Sequence, residues 1–393
     1  MFKNKKFVLG TIAVVLLVIV TVLVVNRKNQ TNTNKDKDVI KIGAILPLTG
    51  PASFAGELTK RGIDIAIKHQ NNNGINGRKI LVIYEDSVNQ AKEGVAAYNK
   101  LSENDNIDIF VSIYSVPTVA ILSSALVKEK NGGLFVTSHI AKTDITTLYP
   151  KIFNVAQSTQ QEAETLAKFF YNSKHMKRVV TYSVDDDFGK DFVRYFIENF
   201  TALGGTVVKS GNYKGENPDH RQQLTILKSF NSDFCLFAGA DQRIAKAIRQ
   251  GREIGLNVPY AVSSTISTTE LKNMLPQDIS SVYYVAPECN VKDNSKDLLD
   301  TNSILIVNDY RNTYKAELDF ASGFPCAAMQ FLFEGIKQSK TLSTEDIFTS
   351  LAQIKELNTV VGKVEFDNRT RTAKFKLVVM NMLDNKKSEL VWE

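Results

Sequence analysis

The segment LPLTGPASFAGE, Leu46 to Glu57, joins a strand-like run to a helical pattern, a layout typical of loops that bind phosphate at a helix N-terminus. Nucleotide-binding loops carry the spacing G-x-G-x-x-G or G-x-x-x-x-G-K-[ST], and neither occurs here. Gly50 and Gly56 flank Pro51, which has no N–H to donate, and no Lys-Ser or Lys-Thr pair follows. The segment therefore predicts a binding loop for something other than a nucleotide.

The other reactive side chains do not form a catalytic pattern. The chain has no G-x-S-x-G nucleophile elbow. The spacings H-x-x-x-H and H-E-x-x-H, which would indicate a metal site, do not occur among its four histidines, His69, His139, His175 and His220. The acidic run DDDFG, Asp185 to Gly189, lacks the alternating oxygen ligands of an EF-hand and favours the start of a helix. The sequence predicts no enzyme activity, no metal and no cofactor.

The elements that must position these residues alternate regularly. From Val39 onward, short β-branched runs alternate with stretches whose apolar residues lie three and four apart, which favours parallel sheets covered on both faces. This alternation occurs in two successive sets, the first ending near Pro150 and the second near Val262. A helical region, Thr301 to Lys340, and a strand-rich tail follow. The sequence thus predicts an α/β fold with two lobes, to which late segments return.

Composition excludes several classes of partner. The net charge is +6, and no tract of Lys and Arg interleaves with aromatic residues, so nucleic-acid binding is not expected. The three cysteines, Cys235, Cys289 and Cys326, lie in apolar surroundings far apart in the sequence. Buried free thiols are expected rather than one disulfide and a leftover cysteine.

The N-terminus predicts a membrane anchor. Phe7 to Val25 carries no charge, and at ~1.5 Å per residue it spans close to the ~30 Å hydrocarbon core of a bilayer. The alternative, a cleaved signal peptide, has a shorter apolar region and a small-x-small cleavage site, which is absent here. A lipoprotein anchor is excluded because the first cysteine is Cys235. The short basic start, MFKNKK, is expected to stay cytoplasmic, which places the body in the periplasm or at the cell surface.

Seven motifs occur in order between Val39 and Trp392: IKIGAILPLTGPASFAGE, GIDIAIKHQNNNGINGRKI, YEDSVNQAKEGVAAYNKL, VTSHIAKTDIT, VDDDFGKDF, FAGADQRIAKAIRQGREIGL and VVGKVEFDNRT. Together they resemble the type I periplasmic binding-protein family, most closely its receptors for branched-chain amino acids and amides. The resemblance implies two Rossmann-like lobes, joined by three crossovers, that close like a Venus flytrap on a ligand at the hinge. The implied boundaries are 1–38 for the anchor and polar tether, 39–157 plus 287–361 for lobe one, and 158–286 plus 362–393 for lobe two.

The resemblance implies ligand contacts at the carboxyl ends of strands. Ser115 matches the serine that holds a ligand carboxylate, although a plain helix N-cap would also explain it. Phe188 falls where the family commonly has an aromatic residue that closes on the ligand, with simple packing as the alternative. In the first binding loop the family's aromatic residue aligns with Ala55, and Phe54, one residue earlier, would either take its place over the ligand or pack at the solvent edge. His139 could donate to an anion or stack on a ring. The full predicted set is Thr49, Phe54, Ser115, Thr118, Ser138, His139, Ala141, Asp185, Phe188, Asp241 and Ser264.

Three positions depart from the family's amino-acid receptors. The ligand's α-ammonium is held there by a Thr or Ser where this chain has Ala141, and by an acid where it has Ser264; Ala240 replaces an aromatic residue. Losing both ammonium partners removes charge-assisted hydrogen bonds of about 1.5–3 kcal/mol each. A standard α-amino acid is therefore expected to bind poorly unless another acid substitutes. The candidates for that substitution are Asp185, Asp186 and Asp241.

The function implied by the resemblance is solute capture without catalysis. A small carboxylate-bearing ligand, either amino-acid-like or an amide or aromatic acid, would bind between the lobes and be delivered to an ABC permease. The alternative is a membrane-tethered sensor that signals to a partner protein. A gene neighbourhood with permease and ATPase subunits would favour transport over sensing.

Overall fold

The computed structural model describes residues 39–50, 52–128, 132–138, 140, 145–214, 219–239, 241–277, 279–287, 299–383 and 387–392, without the side chain of Ser115. The apolar run Phe7 to Val25 and the tether after it lie outside the described residues. Among those that are described, none of the helices has both the length and the apolar character needed to cross a bilayer.

Lobe one is built on an eight-stranded sheet with the order β11-β12-β13-β5-β4-β3-β1-β2. In the order of the sheet, the neighbouring strands from β2 to β13 pair in parallel. Strands β13, β12 and β11 form an antiparallel meander at the other edge. The strands are β1 Val39–Leu46, β2 Lys79–Asp86, β3 Ile109–Ile113, β4 Leu134–Ser138, β5 Ile152–Asn154, β11 Glu356–Thr359, β12 Gly362–Asp367 and β13 Thr372–Phe375. The helices are α1 Ser53–Asn73, α2 Ala91–Asn99, α3 Ser115–Val127, α9 Thr301–Tyr314, α10 Phe320–Gln338 and α11 Thr344–Leu351.

Lobe two repeats the same plan on a seven-stranded sheet with the order β15-β14-β10-β9-β8-β6-β7. Strands β6 to β10 pair in parallel, and β14 and β15 add an antiparallel edge. The strands are β6 Arg178–Val184, β7 Thr206–Tyr213, β8 Phe234–Ala238, β9 Tyr260–Val262, β10 Val282–Pro287, β14 Leu377–Met382 and β15 Ser388–Trp392. The helices are α4 Thr159–Lys168, α5 Asp187–Ala202, α6 Arg221–Lys228, α7 Gln242–Glu253 and α8 Thr269–Met274.

The chain passes between the sheets three times, and the last passage lies later than the sequence predicted. We expected lobe two to resume at residue 362, but β12 and β13 belong to the lobe-one sheet and the chain crosses between Phe375 and Leu377. The reason is a pairing of β13 with β5 at Thr372 and Asn154, which no local pattern in the sequence reports. The long helical region expected from Thr301 is two helices, since Lys315 has left-handed backbone (φ 52°) and ends the first.

Two helices of lobe one pack on each other at very short range. Helix α10 is buried along most of its length and packs on α1 so closely that a Cβ on Gly62 would lie 2.1 Å from the carbonyl oxygen of Ser322. Only glycine permits this approach.

Cys235 and Cys326 are buried free thiols, as expected, and Cys289 lies outside the described residues.

Candidate ligand-binding cleft

Both sheets have a point where the strand order reverses. In lobe one, β1 has β2 on one side and β3 on the other; in lobe two, β6 lies between β7 and β8. The loops that leave β1 and β3 run in opposite directions, and so do the loops that leave β6 and β8. Each pair of loops opens a crevice at the carboxyl ends of the strands, where doubly wound sheets bind ligands. Most predicted site residues follow these strands, so the topology brings them to one edge of each sheet.

The loop after β1 is fixed by a carboxylate. Asp86, the last residue of β2, accepts hydrogen bonds from the backbone N–H of Leu48 (2.8 Å), from both the N–H (3.3 Å) and the hydroxyl (2.5 Å) of Thr49, and from the N–H of Val88 (2.8 Å). Partial burial opposes ionisation, but these bonds together hold the pKa of Asp86 below its usual range. Thr49 is thus an exposed residue whose hydroxyl is held by a residue of its own lobe. Asp86, which holds it, was not among the predicted site residues.

The residue after β3 shows that the lobes face each other. Tyr114 has φ 64°, a left-handed backbone that bulky residues adopt rarely, and such strain concentrates at functional sites. Burial and the charge of Asp241, a lobe-two residue, raise the pKa of Tyr114 to about 12. The carboxyl ends of the two sheets therefore lie close enough for charges to act between them.

Helix α3 begins at Ser115 itself rather than after it, which contradicts the N-cap alternative for Ser115. It starts at Ser115 with Tyr114 in the cap position, so Ser115 is not the N-cap and Pro117 is the third helical residue. Thr118, a predicted ligand contact, is fully buried, with its hydroxyl 3.0 Å from the Ser112 hydroxyl and donating to the Ile113 carbonyl (3.3 Å). Its contacts are therefore within lobe one.

The predicted contacts after β4 fall largely outside the described residues. Ser138 ends β4 and is buried. His139 and Ala141, together with the departure at Ala240, lie among the residues that the structure does not describe. Their roles stay predictions.

Two of the lobe-two acids are already matched by cations. Asp185 follows β6 and pairs with Lys190 (2.8 Å) and Lys214 (2.9 Å), which hold its pKa below the usual range. Asp241 caps α7 and pairs with the guanidinium of Arg243 at 2.5 Å. Asp186 caps α5 by accepting the N–H of Gly189 (2.9 Å). Asp185 and Asp241 therefore already have cationic partners, so neither is a strong candidate to replace the missing ammonium partner.

Phe54 and Phe188 hold equivalent places in the two lobes. Each is the second residue of the helix that follows a central strand, α1 after β1 and α5 after β6. Both side chains are partly exposed; Phe188 also packs on Phe192, with ring centroids 5.8 Å apart. This equivalence is consistent with their predicted role as a pair of aromatic residues closing from opposite sides.

The clearest feature missed by the sequence analysis is a buried carboxylate at the first crossover. Glu162 accepts the N–H (2.9 Å) and hydroxyl (2.8 Å) of Ser264, which follows β9, and the side-chain N–H of Gln157 (2.7 Å) in the crossing segment. Burial raises the pKa of Glu162 despite these three donors. Ser264 thus holds an acid from α4 at the place where we expected the family's acid. The signal was available, because Glu162 shares a helical face with the apolar Leu166.

Comparison with known proteins decides the family. A family model described as periplasmic binding protein matches residues 39–387. The chain belongs to the periplasmic binding protein family. The Leu/Ile/Val-binding protein BraC3 of Rhizobium johnstonii is 26% identical over 331 residues, which cover 83% of this chain and 87% of that protein. The resemblance to the branched-chain amino acid receptors is thereby confirmed.

Solved structures of periplasmic binding proteins share the fold. The branched-chain amino acid transporter substrate-binding protein of Streptococcus pneumoniae, solved with isoleucine, has a TM-score of 0.79 at 18% identity, covering 90% of this chain and 100% of that one. A solute-binding protein of an ABC transporter from Rhodopseudomonas palustris, solved with 3,4-dihydroxybenzoic acid, has a TM-score of 0.78 at 18% identity, covering 90% and 97%. At this identity the likeness establishes the two-lobed fold and leaves the ligand open.

Proposed function

We propose that this periplasmic binding protein is an extracytoplasmic receptor, anchored by Phe7 to Val25, that captures a small carboxylate-bearing solute between its lobes and delivers it to an ABC permease. The observation that carries the proposal is that the two lobes line one cavity at their strand-end edges, with Phe54 after β1 on one side and Gln242 after β8 on the other. A solute that contacts both edges stabilises the closed arrangement and shifts the open–closed equilibrium, and a permease can then recognise the closed form.

The carboxylate preference rests on backbone and helix geometry in lobe one. Helix α3 begins at Ser115, directly after the strained Tyr114, so its first N–H groups lie at the cleft edge of β3. Unpaired N–H groups at a helix N-terminus favour an anion. Ser115, by its match to the family's carboxylate-binding serine, would add a hydroxyl donor there.

A thermal-shift panel tests this function. It compares α-amino acids, carboxylates without an amine, amides and aromatic acids, at concentrations up to 100 times a plausible Kd, where a bound ligand adds about 2.7 kcal/mol to the unfolding free energy. We expect the largest rise in Tm from a carboxylate-bearing compound and a weakened response in Ser115→Ala, with Ser123→Ala, on the exposed face of α3, as the control.

The panel can also contradict the proposal. If no carboxylate shifts Tm while amides do, carboxylate capture is wrong. If branched-chain amino acids produce the largest shift, the inference drawn from Ala141 and Ser264 is wrong. An unchanged affinity in Ser115→Ala removes that residue from the site.

A further inference from the structure

A cavity between the lobes adjoins the cleft and shares Phe54 with it. It has a volume of about 550 Å³ and is bounded by the start of α1 and the α9–α10 connection in lobe one and by α8 in lobe two. Small organic ligands occupy cavities of roughly 300–1,000 Å³. Phe54, Leu58 and Met274 give it an apolar lining drawn from both lobes. The size and lining suit a short hydrocarbon body.

Two of the charged side chains in the lining are already neutralised. Arg61 is bonded through Nε to Glu57 at 2.9 Å on the preceding turn of α1. Glu317 forms a two-point pair with Arg311, at 2.8 and 2.6 Å. Neither contributes an uncompensated charge to a ligand.

Two carboxylates, one from each lobe, remain. Asp319 of lobe one accepts the N–H (3.1 Å) and the hydroxyl (3.0 Å) of Ser322, and Glu270 of lobe two accepts the side-chain N–H of Gln242 (2.6 Å). All these donors are neutral, and within the described ranges neither acid forms an ion pair. Burial raises the pKa of Asp319 although the hydrogen bonds from Ser322 and, less strongly, the charge of Lys272 oppose this. The cavity thus holds two acids that lack a bonded cation.

A buried hydroxyl in the same lining is incompletely satisfied. Tyr310 is fully buried and lines the cavity, and its hydroxyl forms no hydrogen bond of regular geometry within the part of the chain that is described. The Ser322 hydroxyl is its polar neighbour and lowers the pKa of Tyr310, while burial raises it more, but Ser322 donates to Asp319. Buried tyrosine hydroxyls usually find a partner, so a polar group of a ligand has an available partner here beside the two acids.

We propose that this cavity binds an organic cation, an ammonium or guanidinium group on a short hydrocarbon body, which bridges Asp319 and Glu270 across the lobes. The proposal rests on the proposed function, because it requires that the lobes close. Closure brings two like charges together in a site of low dielectric, and a cation between them turns this repulsion into attraction. The cation therefore favours the closed form and acts as a second determinant of closure.

The test uses n-pentylamine as the probe, with 1-pentanol and pentanoate as uncharged and anionic counterparts of the same length. Calorimetric titration is done on the full-length chain in detergent micelles. We expect pentylamine to bind and the other two not to bind here. Glu270→Gln and Asp319→Asn should each weaken pentylamine binding at least tenfold, because each removes one carboxylate charge. Asparagine is chosen at position 319 because it preserves the helix cap. Glu365→Gln, an exposed acid on β12, is the control and should leave binding unchanged.

The outcomes separate this proposal from the proposed function. Equal binding of pentanol and pentylamine overturns the cation site, and so does an unchanged affinity in a folded Glu270→Gln. If the solute panel binds and pentylamine does not, only the cation site is wrong. If the captured solute itself carries the cation, it competes with pentylamine, and Glu270→Gln weakens its binding. A separate amine instead binds together with the solute, and each then raises the affinity of the other.

Discussion

At the scale of single residues, the informative positions are those whose chemistry conflicts with their surroundings. Glu162 is a carboxylate on the buried face of α4, held only by neutral donors from Ser264 and Gln157. Tyr114 keeps a left-handed backbone although it is a large aromatic residue. Conflicts of this kind cost stability, and they persist where function requires them. Both residues lie where the lobes meet.

Glu162→Gln tests the cost of this buried carboxylate. The folded pKa of Glu162 is raised above its unfolded value, so the folded state binds the extra proton and wild-type stability falls as the pH rises from about 4.5. Glutamine cannot ionise, so the variant does not lose stability in this way. At pH 4.5 we expect it to be up to about 1 kcal/mol less stable than wild type, because one neutral hydrogen bond is altered. At pH 7.5 this difference should shrink or reverse.

Urea unfolding at the two pH values measures the effect. Glu164→Gln is the matched control, since Glu164 lies on the same helix but pairs with Lys168 at 2.6 Å on the partly exposed side. The free energy of unfolding of Glu164→Gln, relative to wild type, should not increase between the two pH values. If Glu162→Gln shows the same stability difference at both pH values, the carboxyl does not resist ionisation.

At the scale of elements, two glycines decide how closely helix α1 approaches the loop before it and its neighbouring helix α10. A Cβ on Gly56 would lie 2.0 Å from the carbonyl oxygen of Pro47 in the binding loop, whereas a Cβ on Gly62, two turns later, would meet Ser322 of α10. The first contact fixes the loop that carries Thr49 against the start of α1, which carries Phe54. The second fixes the packing between two helices.

Gly56→Ala and Gly62→Ala therefore form a matched pair in one helix. Each should destabilise the fold by about 1–3 kcal/mol, since backbone must move to admit the methyl group. Only Gly56→Ala should also weaken binding of the panel's best ligand, severalfold or more, because it displaces the loop. Unfolding and calorimetric titration of both variants measure this. Equal ligand affinities in the two variants would show that the loop does not contribute to the cleft.

The elements themselves were largely predictable from the sequence. Alternating β-branched runs and helical periodicity identified the parallel strands and two α/β sets, because burial on both sheet faces leaves a local pattern. The late crossing was not predictable, since β13 joins lobe one through Thr372 and Asn154, far apart in the chain. The same holds for the pairing of Glu162 with Ser264, 102 residues away, although the buried position of Glu162 on its helix could be predicted from periodicity. Long-range polar pairs leave no periodic signal in the sequence.

At the scale of the whole molecule, the binding cleft and the start of the body lie at opposite ends of lobe one. The cleft edge is at the carboxyl end of β1, whereas the chain enters β1 at Val39, about 26 Å away for eight residues in a strand. The tether before it, residues 26–38, spans at most about 45 Å when fully extended. An uncleaved anchor would thus hold the body near the membrane with its cleft directed away from the attachment point.

Cell fractionation tests this arrangement for the entire chain. We expect the intact N-terminus in the membrane fraction, resistant to extraction at alkaline pH, because a 19-residue uncharged run buries enough apolar surface to remain in the bilayer. Replacing two central residues, Leu16→Lys and Ile19→Lys, should release the chain or block its export, since each buried charge opposes insertion. Lys35→Gln in the tether is the control and should stay membrane-bound. A soluble wild-type product that starts between Asn26 and Asn34 would instead show cleavage, and the protein would then capture its solute as a freely diffusing receptor.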